Sequence, residues 1–222
     1  MRFSTTLQAI LFTAAVLTLS AQQPAAPGDD AQAKATQGMP PRATPGDYQS
    51  QAKAGAVTIG AEFMGHSVPT VDQTFTTEDY VVVEAALFGA PGARITLAPT
   101  DFSLRVNGKK NALPSQPYAL IFHSLKNPDW ELTLPPVEKS KGGINGGGGG
   151  GDSAPPPPVH MPITVQRAME QRVQKASFAE GERPLPQAGL LYFEYRGGAK
   201  GIHSVELVYA GAAGKATVTL HP

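Results

Sequence analysis

Residues 189–196 constrain the fold of this chain more than any other stretch. They read Gly-Leu-Leu-Tyr-Phe-Glu-Tyr-Arg. Alternate residues of a strand point to opposite faces, so one face here is wholly apolar and the other is apolar up to Glu194. A strand that is buried on nearly both faces belongs in the middle of a sheet. The Gly-Glu-Arg-Pro-Leu-Pro run before it disfavours a helix and favours an extended approach.

Other segments predict further strands, because apolar and polar residues alternate along them. Residues 79–88 predict a second central strand, since after Asp79 both faces are apolar apart from Glu84. The remaining candidate strands are residues 57–64, which we expect to be the first strand, and residues 102–107, 118–123, 204–209 and 217–220. Short turns separate the last three strands of the chain, so they predict a meander.

Residues 107 and 108 are Asn-Gly, the strongest short signal for a hairpin turn. The partner strand is predicted to run through Lys109 and Lys110, whose charges indicate an exposed sheet edge. Residues 164–176 are predicted to form the one short helix of the mature chain, because their apolar residues fall at helical spacing. We expect this helix to cap one end of the fold.

Composition divides the chain into one domain and several low-complexity segments. Residues 1–21 predict a secretory signal peptide with cleavage near Ala21, because Arg2 precedes a short apolar run that ends in small residues. Residues 22–54 are poor in large apolar residues and predict a disordered linker. Residues 55–222 then form the domain, with a Gly/Pro-rich loop insertion at residues 136–158.

Two motifs resemble bacterial extracellular immunoglobulin-like domains of unknown function. The first is Asp-Phe-Ser-Leu-Arg-Val-Asn-Gly at residues 101–108, a strand that leads into a turn. The second is the Pro/Gly-rich approach to an apolar strand at residues 185–193. The resemblance implies an all-β, immunoglobulin-like sandwich in a secreted setting and carries no catalytic residues. Pattern and resemblance together lead us to expect about seven strands and one short helix.

Charge and residue content exclude several classes of function. The chain has 18 basic and 18 acidic residues, which does not indicate binding to nucleic acid. It has no cysteine, and therefore no disulfide, thiolate metal site or cysteine nucleophile. Its serines lie outside any Gly-x-Ser-x-Gly motif, and the adjacent His-Ser pairs at residues 123–124 and 203–204 point to opposite faces of a strand. We therefore expect no enzymatic activity and no cofactor.

Histidine and methionine supply the one candidate metal site. Met64 and His66 share a short turn, and His160 and Met161 are adjacent. Thioether and imidazole ligands suit Cu(I), so these four residues predict a periplasmic copper-binding protein as an alternative function. The structural interpretation is that Met64 ends a strand and that His160 and Met161 border the insertion.

The sequence therefore favours an exported, non-enzymatic module that binds an unknown protein or envelope component in the periplasm or outside the cell. No membrane span is expected in the mature chain, because the apolar run of the signal is too short to cross a bilayer. A third possibility is carbohydrate binding through Trp130 and Tyr118, because an exposed aromatic ring can stack on a sugar ring.

Overall fold

The computed structural model of the chain describes residues 37–133 and 161–222. This part is mostly β, with antiparallel sheets and a few short helices, as the alternating pattern predicted. The predicted signal peptide, the first part of the predicted linker, the insertion and His160 lie outside the described residues. None of the helices in the described part is long and apolar enough to cross a membrane.

The described residues form thirteen strands, two α-helices and four 3₁₀ helices. The strands are β1 (Ser50–Ala54), β2 (Val57–Gly65), β3 (Ser67–Pro69), β4 (Thr74–Thr77), β5 (Tyr80–Phe88), β6 (Arg94–Leu97), β7 (Phe102–Val106), β8 (Leu113–Gln116), β9 (Leu125–Lys126), β10 (Gly181–Pro184), β11 (Gln187–Glu194), β12 (Val205–Gly211) and β13 (Gly214–Leu220). The α-helices are α1 (Pro128–Thr133) and α2 (Ile163–Ala176), and the 3₁₀ helices are Pro45–Asp47, Pro99–Asp101, Tyr118–Ser124 and Ala199–Gly201.

Eight strands form one antiparallel sheet in the order β1-β2-β5-β11-β8-β7-β12-β13. β5 and β11 lie side by side inside this sheet, so both central-strand predictions are confirmed. The predicted meander is wrong. β11 pairs with β5 and β8, which occupy both of its edges, and β12 pairs with β7 and β13 instead.

The sheet curls until its first and last strands, β1 and β13, lie against each other. The Gln49 side chain joins these two edges. Its amide nitrogen donates to the His221 carbonyl at 2.7 Å, and its amide oxygen accepts from the His221 N–H at 3.2 Å. The concave face encloses the larger core, to which β2, β5, β7, β11, β12 and β13 all contribute buried apolar side chains.

An outer layer covers the convex face of β5 and β11. Helix α2 packs Met169, Val173 and Ala176 against Leu190 and Tyr192 of β11. The helix Tyr118–Ser124 and the small β3-β4-β9 sheet complete this layer, contributing the buried side chains of Ile121, Val68 and Phe75. Helix α2 was predicted to cap one end of the fold, but it lies on the face of the sheet. The apolar outer face of the central strands provides the surface that it buries.

Two strand predictions are wrong in detail. Residues 118–123, predicted to be a strand, lie in the 3₁₀ helix Tyr118–Ser124, in which three-residue spacing buries Ile121 and Ser124 together. The partner of β7 is β8 and not the stretch through Lys109 and Lys110. Asn107 and Gly108 do adopt left-handed conformations, with φ of 55° and 65°, but β8 begins only at Leu113.

The expectations of one helix and of a linker through residue 54 are also wrong within the described residues. Helix α1 is a second α-helix, and Trp130, expected on a loop, lies in it. Residues 50–54 form β1, which pairs with β2, so β2 is not the first strand. The apolar pattern of residues 37–54 is too sparse to predict this order, because their partners lie far away in the chain.

Residues 37–48, which we call the strap, attach to the convex face of the sheet beside α2. The Gly38 N–H donates to the Lys175 carbonyl at 3.0 Å, and the Met39 N–H donates to the Ala188 carbonyl at 2.8 Å. Tyr48 is buried against Gly60, where a Cβ would lie 2.6 Å from the tyrosine ring. A glycine is therefore required at position 60 if Tyr48 is to keep its place.

The guanidinium of Arg42, which lies in the strap, forms ion pairs with two carboxylates of the sheet. Glu62 and Glu84 lie directly opposite each other on β2 and β5, and Glu84 is only 6% exposed. The Arg42 guanidinium contacts Glu62 at 2.5 Å and Glu84 at 2.8 Å, and it lies 4.5 Å from the centre of the Tyr48 ring. Burial lowers the pKa of Arg42. The hydrogen bonds and charges of Glu84 and Glu62 raise this pKa by more than burial lowers it, so the net shift is upward.

Replacement of Arg42 should therefore destabilise the fold. We expect Arg42→Ala to lower the free energy of unfolding by about 1–3 kcal/mol, because it leaves the buried carboxylate of Glu84 without a counter-ion. The loss is smaller than for a fully buried pair because the Arg42 side chain is 33% exposed. Urea unfolding followed by circular dichroism measures the difference.

Arg94→Ala is the matched control, because Arg94 pairs with Glu182 where the side chains are 54% and 65% exposed. Its expected effect is about 0–1 kcal/mol. Adding Glu84→Gln to Arg42→Ala should recover part of the loss, because a neutral amide costs less to bury than an unpaired carboxylate. Equal losses for the two arginine variants would contradict the role of Arg42.

Candidate functional site

The predicted metal ligands lie in two different settings. Met64 and Met161 both pack against the apolar outer layer. His66 follows β2, and its ring Nε2 lies 3.1 Å from the carbonyl oxygen of Gly197. The structure thus places the two methionines on one apolar cluster and ties the histidine to the loop after β11, while His160 lies outside the described residues. The four-residue site remains a prediction.

The imidazole of His66 has one nitrogen available. A carbonyl oxygen only accepts hydrogen bonds, so in the neutral imidazole Nε2 carries the proton and Nδ1 carries a lone pair. Nδ1 is buried and has no hydrogen-bond partner among the described residues. Histidines that bind metals commonly donate their other ring N–H to a carbonyl in this way. Within residues 37–133 and 161–222, however, no three His, Asp or Glu residues form a cluster that could hold a metal ion.

The two members of the His-Ser pair at residues 123–124 have separate partners. Ser124 is buried and its hydroxyl pairs with Thr77 at 2.7 Å. The neighbouring His123 points away to Asp79, 3.6 Å distant, and its side chain is 60% exposed. In the part of the chain that the structure describes, no serine hydroxyl is hydrogen-bonded to a histidine ring. The sequence argument about the adjacent His-Ser pairs assumed strands, but residues 123–124 lie in the helix Tyr118–Ser124 and residues 203–204 precede β12.

Two grooves flank helix α2 on the surface. The first, the strap groove, has a volume of about 490 Å³ and runs between α2, the strap and the β3–β4 turn. Val71 lies on its rim and is 84% exposed. Arg172 in its wall pairs with Asp72 of the turn at 3.7 Å, which leaves Lys175 as the unpaired cation among the residues that line this groove.

The second groove, the aromatic groove, has a volume of about 270 Å³ and separates α2 from the helix Tyr118–Ser124. Its floor is formed by Tyr118, Ala119 and Phe122. Its wall is a polar stripe of α2 at spacing i, i+3, i+4 and i+7, namely Arg167, Glu170, Gln171 and Gln174. None of these four side chains forms a hydrogen bond or ion pair with another described residue.

The sequence contained one signal for the aromatic groove. The polar stripe has the helical spacing that usually marks a face directed at solvent. Its position beside a groove does not follow from the sequence, because residues 118–123, predicted to be a strand, lie in the helix Tyr118–Ser124 that faces the stripe. The strap groove had no comparable signal, because it depends on residues 37–48 folding back onto the sheet.

Comparisons with known proteins do not assign a function. No family model, curated protein or solved structure matches this chain. The candidate sites therefore rest on the geometry of this chain alone.

A cluster of buried hydroxyls surrounds a small cavity of about 50 Å³ between β8, β11 and the end of α2. The Ser177 hydroxyl donates to the Val173 carbonyl at 2.7 Å, so it accepts from the Tyr192 hydroxyl 3.1 Å away. Burial raises the pKa of Tyr192, and the hydrogen bond with Ser177 opposes that shift. Ser115 also lines the cavity, but its hydroxyl has no hydrogen-bond partner among the described residues.

The two serines should respond differently to alanine. Ser177→Ala should cost about 1–3 kcal/mol of unfolding free energy, because it leaves the buried Tyr192 hydroxyl without an acceptor, while the Val173 carbonyl still accepts from the backbone N–H of residue 177. Ser115→Ala should change stability by less than about 0.5 kcal/mol or raise it, because a buried hydroxyl without a partner contributes no hydrogen bond. Chemical unfolding of both variants measures this. An equal loss in Ser115→Ala would show that a water in the cavity bonds to Ser115.

Proposed function

We propose that this chain is an exported, non-catalytic binding module with an immunoglobulin-like fold. It binds a protein or another envelope component through the grooves that flank α2. The observation that carries this proposal is the polar stripe. Four polar side chains line a concave surface, and none of them has a partner among the described residues. Open clefts with converging polar groups are where proteins commonly hold ligands.

The strand order supports the immunoglobulin-like part of the proposal. If β2, β5, β7, β8, β11, β12 and β13 correspond to strands A to G, the order becomes A-B-E-D followed by C-F-G. An immunoglobulin constant-type sandwich has the same two groups of strands. Here β8 pairs with both β11 and β7, so the two groups form one curled sheet, and β1 is an additional strand.

The proposed location follows from the sequence. Residues 1–21 have the basic start, apolar run and small-residue end of a secretory signal, and the absence of cysteine does not oppose export. An exported protein without disulfides depends on its core for stability. The inner core and the outer layer are consistent with that requirement.

Site-specific photo-crosslinking tests the binding surface. p-Benzoylphenylalanine in place of Gln171, which lines both grooves, should crosslink to an envelope component when the full chain is mixed with the envelope fraction of the source cell. The same crosslinker in place of Gln166, an exposed α2 residue that lines neither groove, is the matched control. Identical products, or none, at both positions would contradict binding at α2.

The copper-binding alternative retains one specific observation in its favour, the available Nδ1 of His66. Cu(I) titration against a competing chelator tests it under anaerobic conditions. The alternative expects Met64→Leu combined with His66→Ala to weaken Cu(I) binding by about 10- to 100-fold, the usual loss when a metal site is disturbed. His203→Ala, at an exposed histidine, should leave binding unchanged. Equal affinity of the double variant and the unchanged chain would reject the copper site.

A further inference from the structure

We infer that the aromatic groove binds a neutral saccharide. The inference rests on the proposed function and names the ligand class of one of its two grooves. Three features carry it, namely the hydrogen-bonding wall, the aromatic floor and the balance of charge between them.

The wall offers hydrogen-bonding groups that no other described residue uses. Gln171 and Gln174 each present an amide with two N–H donors and an acceptor oxygen, and Arg167 and Glu170 add further donors and acceptors. A helix stripe that faces a neighbouring element usually carries apolar side chains, which pack against that element. Here the stripe is polar and the space in front of it is open. Hydroxyl groups of a sugar both donate and accept, so they match such a mixed surface.

The floor offers two aromatic rings, tilted against each other, and a single ring face is the kind of apolar surface on which a sugar ring stacks. The rings of Tyr118 and Phe122 lie 5.9 Å apart with an interplanar angle of 56°, and both are half-buried against the outer layer. Their positions are therefore fixed from below. Ala119 between them is exposed and small, which leaves space above the floor. An aromatic ring fixed in this way presents an apolar face, and Tyr118 adds a polar hydroxyl.

The charges of the groove favour a neutral ligand. Arg167 and Glu170 are its two charged residues, and their charges cancel. An anionic ligand would gain from the arginine but would be repelled by the glutamate.

Isothermal titration calorimetry of the full chain tests the inference with defined probes. Chitohexaose, cellohexaose, maltohexaose and mannohexaose are the neutral probes, and an oligogalacturonate is the anionic one. We expect at least one neutral probe to bind and the anionic probe to bind more weakly. Gln174→Ala should weaken the binding of the neutral probe by about 3- to 10-fold, the value of one hydrogen bond. Tyr118→Ala should weaken it by at least about threefold through loss of stacking.

Gln166→Ala is the matched control, because it changes the same residue type on the same helix outside the groove. Its affinity should equal that of the unchanged chain within about twofold, since no contact is lost. If Tyr118→Ala does not fold, Gln174→Ala decides the question alone, because the Gln174 side chain makes no hydrogen bond or ion pair within the described protein.

Three outcomes would overturn the saccharide assignment. They are failure of all neutral probes to bind, binding that Gln174→Ala leaves unchanged, and equal weakening by Gln166→Ala. The proposed function is judged separately. If the crosslinker at position 171 captures a protein while every neutral probe fails to bind, the binding module stands and the saccharide assignment falls. If that crosslinking also gives nothing specific, both fall.

Discussion

The fold depends on the burial of both faces of two adjacent strands, β5 and β11. β5 and β11 are apolar on each side, and burying one leucine or valine side chain contributes about 1.5–3 kcal/mol. The concave side is covered when the sheet curls and its other strands close over it. The convex side has no such solution within the sheet. It needs an outer layer, and α2, the helix Tyr118–Ser124 and the small three-stranded sheet supply one.

Glu84 interrupts this apolar convex face and explains why the strap belongs to the domain. A carboxylate that is 6% exposed and opposite a second carboxylate requires a nearby cation. Arg42 provides that cation from a segment whose composition resembles a linker. The same segment contributes Tyr48, whose ring occupies the space that Gly60 leaves open. Together with the pairing of β1 to β2, these contacts extend the folded domain toward the N-terminus by one strand and one crossing segment.

The outer layer also creates the candidate binding surface. Helix α2 packs Met169, Val173 and Ala176 against the sheet. Its other side chains lie at the protein surface, beside the neighbouring elements. Where those elements do not reach the helix, grooves remain on both sides of it. A rigid helix seated on a sheet holds polar groups at fixed spacing, which is useful for recognition because little side-chain and backbone freedom is lost on binding.

The sequence by itself determined the β-rich class, the two central strands and the long helix, because each follows from the local spacing of apolar residues. It also identified Glu84 as a charged residue on an otherwise apolar central strand, without indicating what neutralises it.

Tertiary structure decided the rest. The 3₁₀ helix Tyr118–Ser124 has an apolar run that suits a strand equally well, and its packing under α2 selects the helix. The pairing of β11 with β8 instead of β12 depends on contacts between distant residues. The strap is ordered by Glu84 and Gly60, and the aromatic groove exists only because two helices distant in sequence face each other. Local spacing carries no information about such partners, since the energy that fixes them comes from long-range packing and charge pairing.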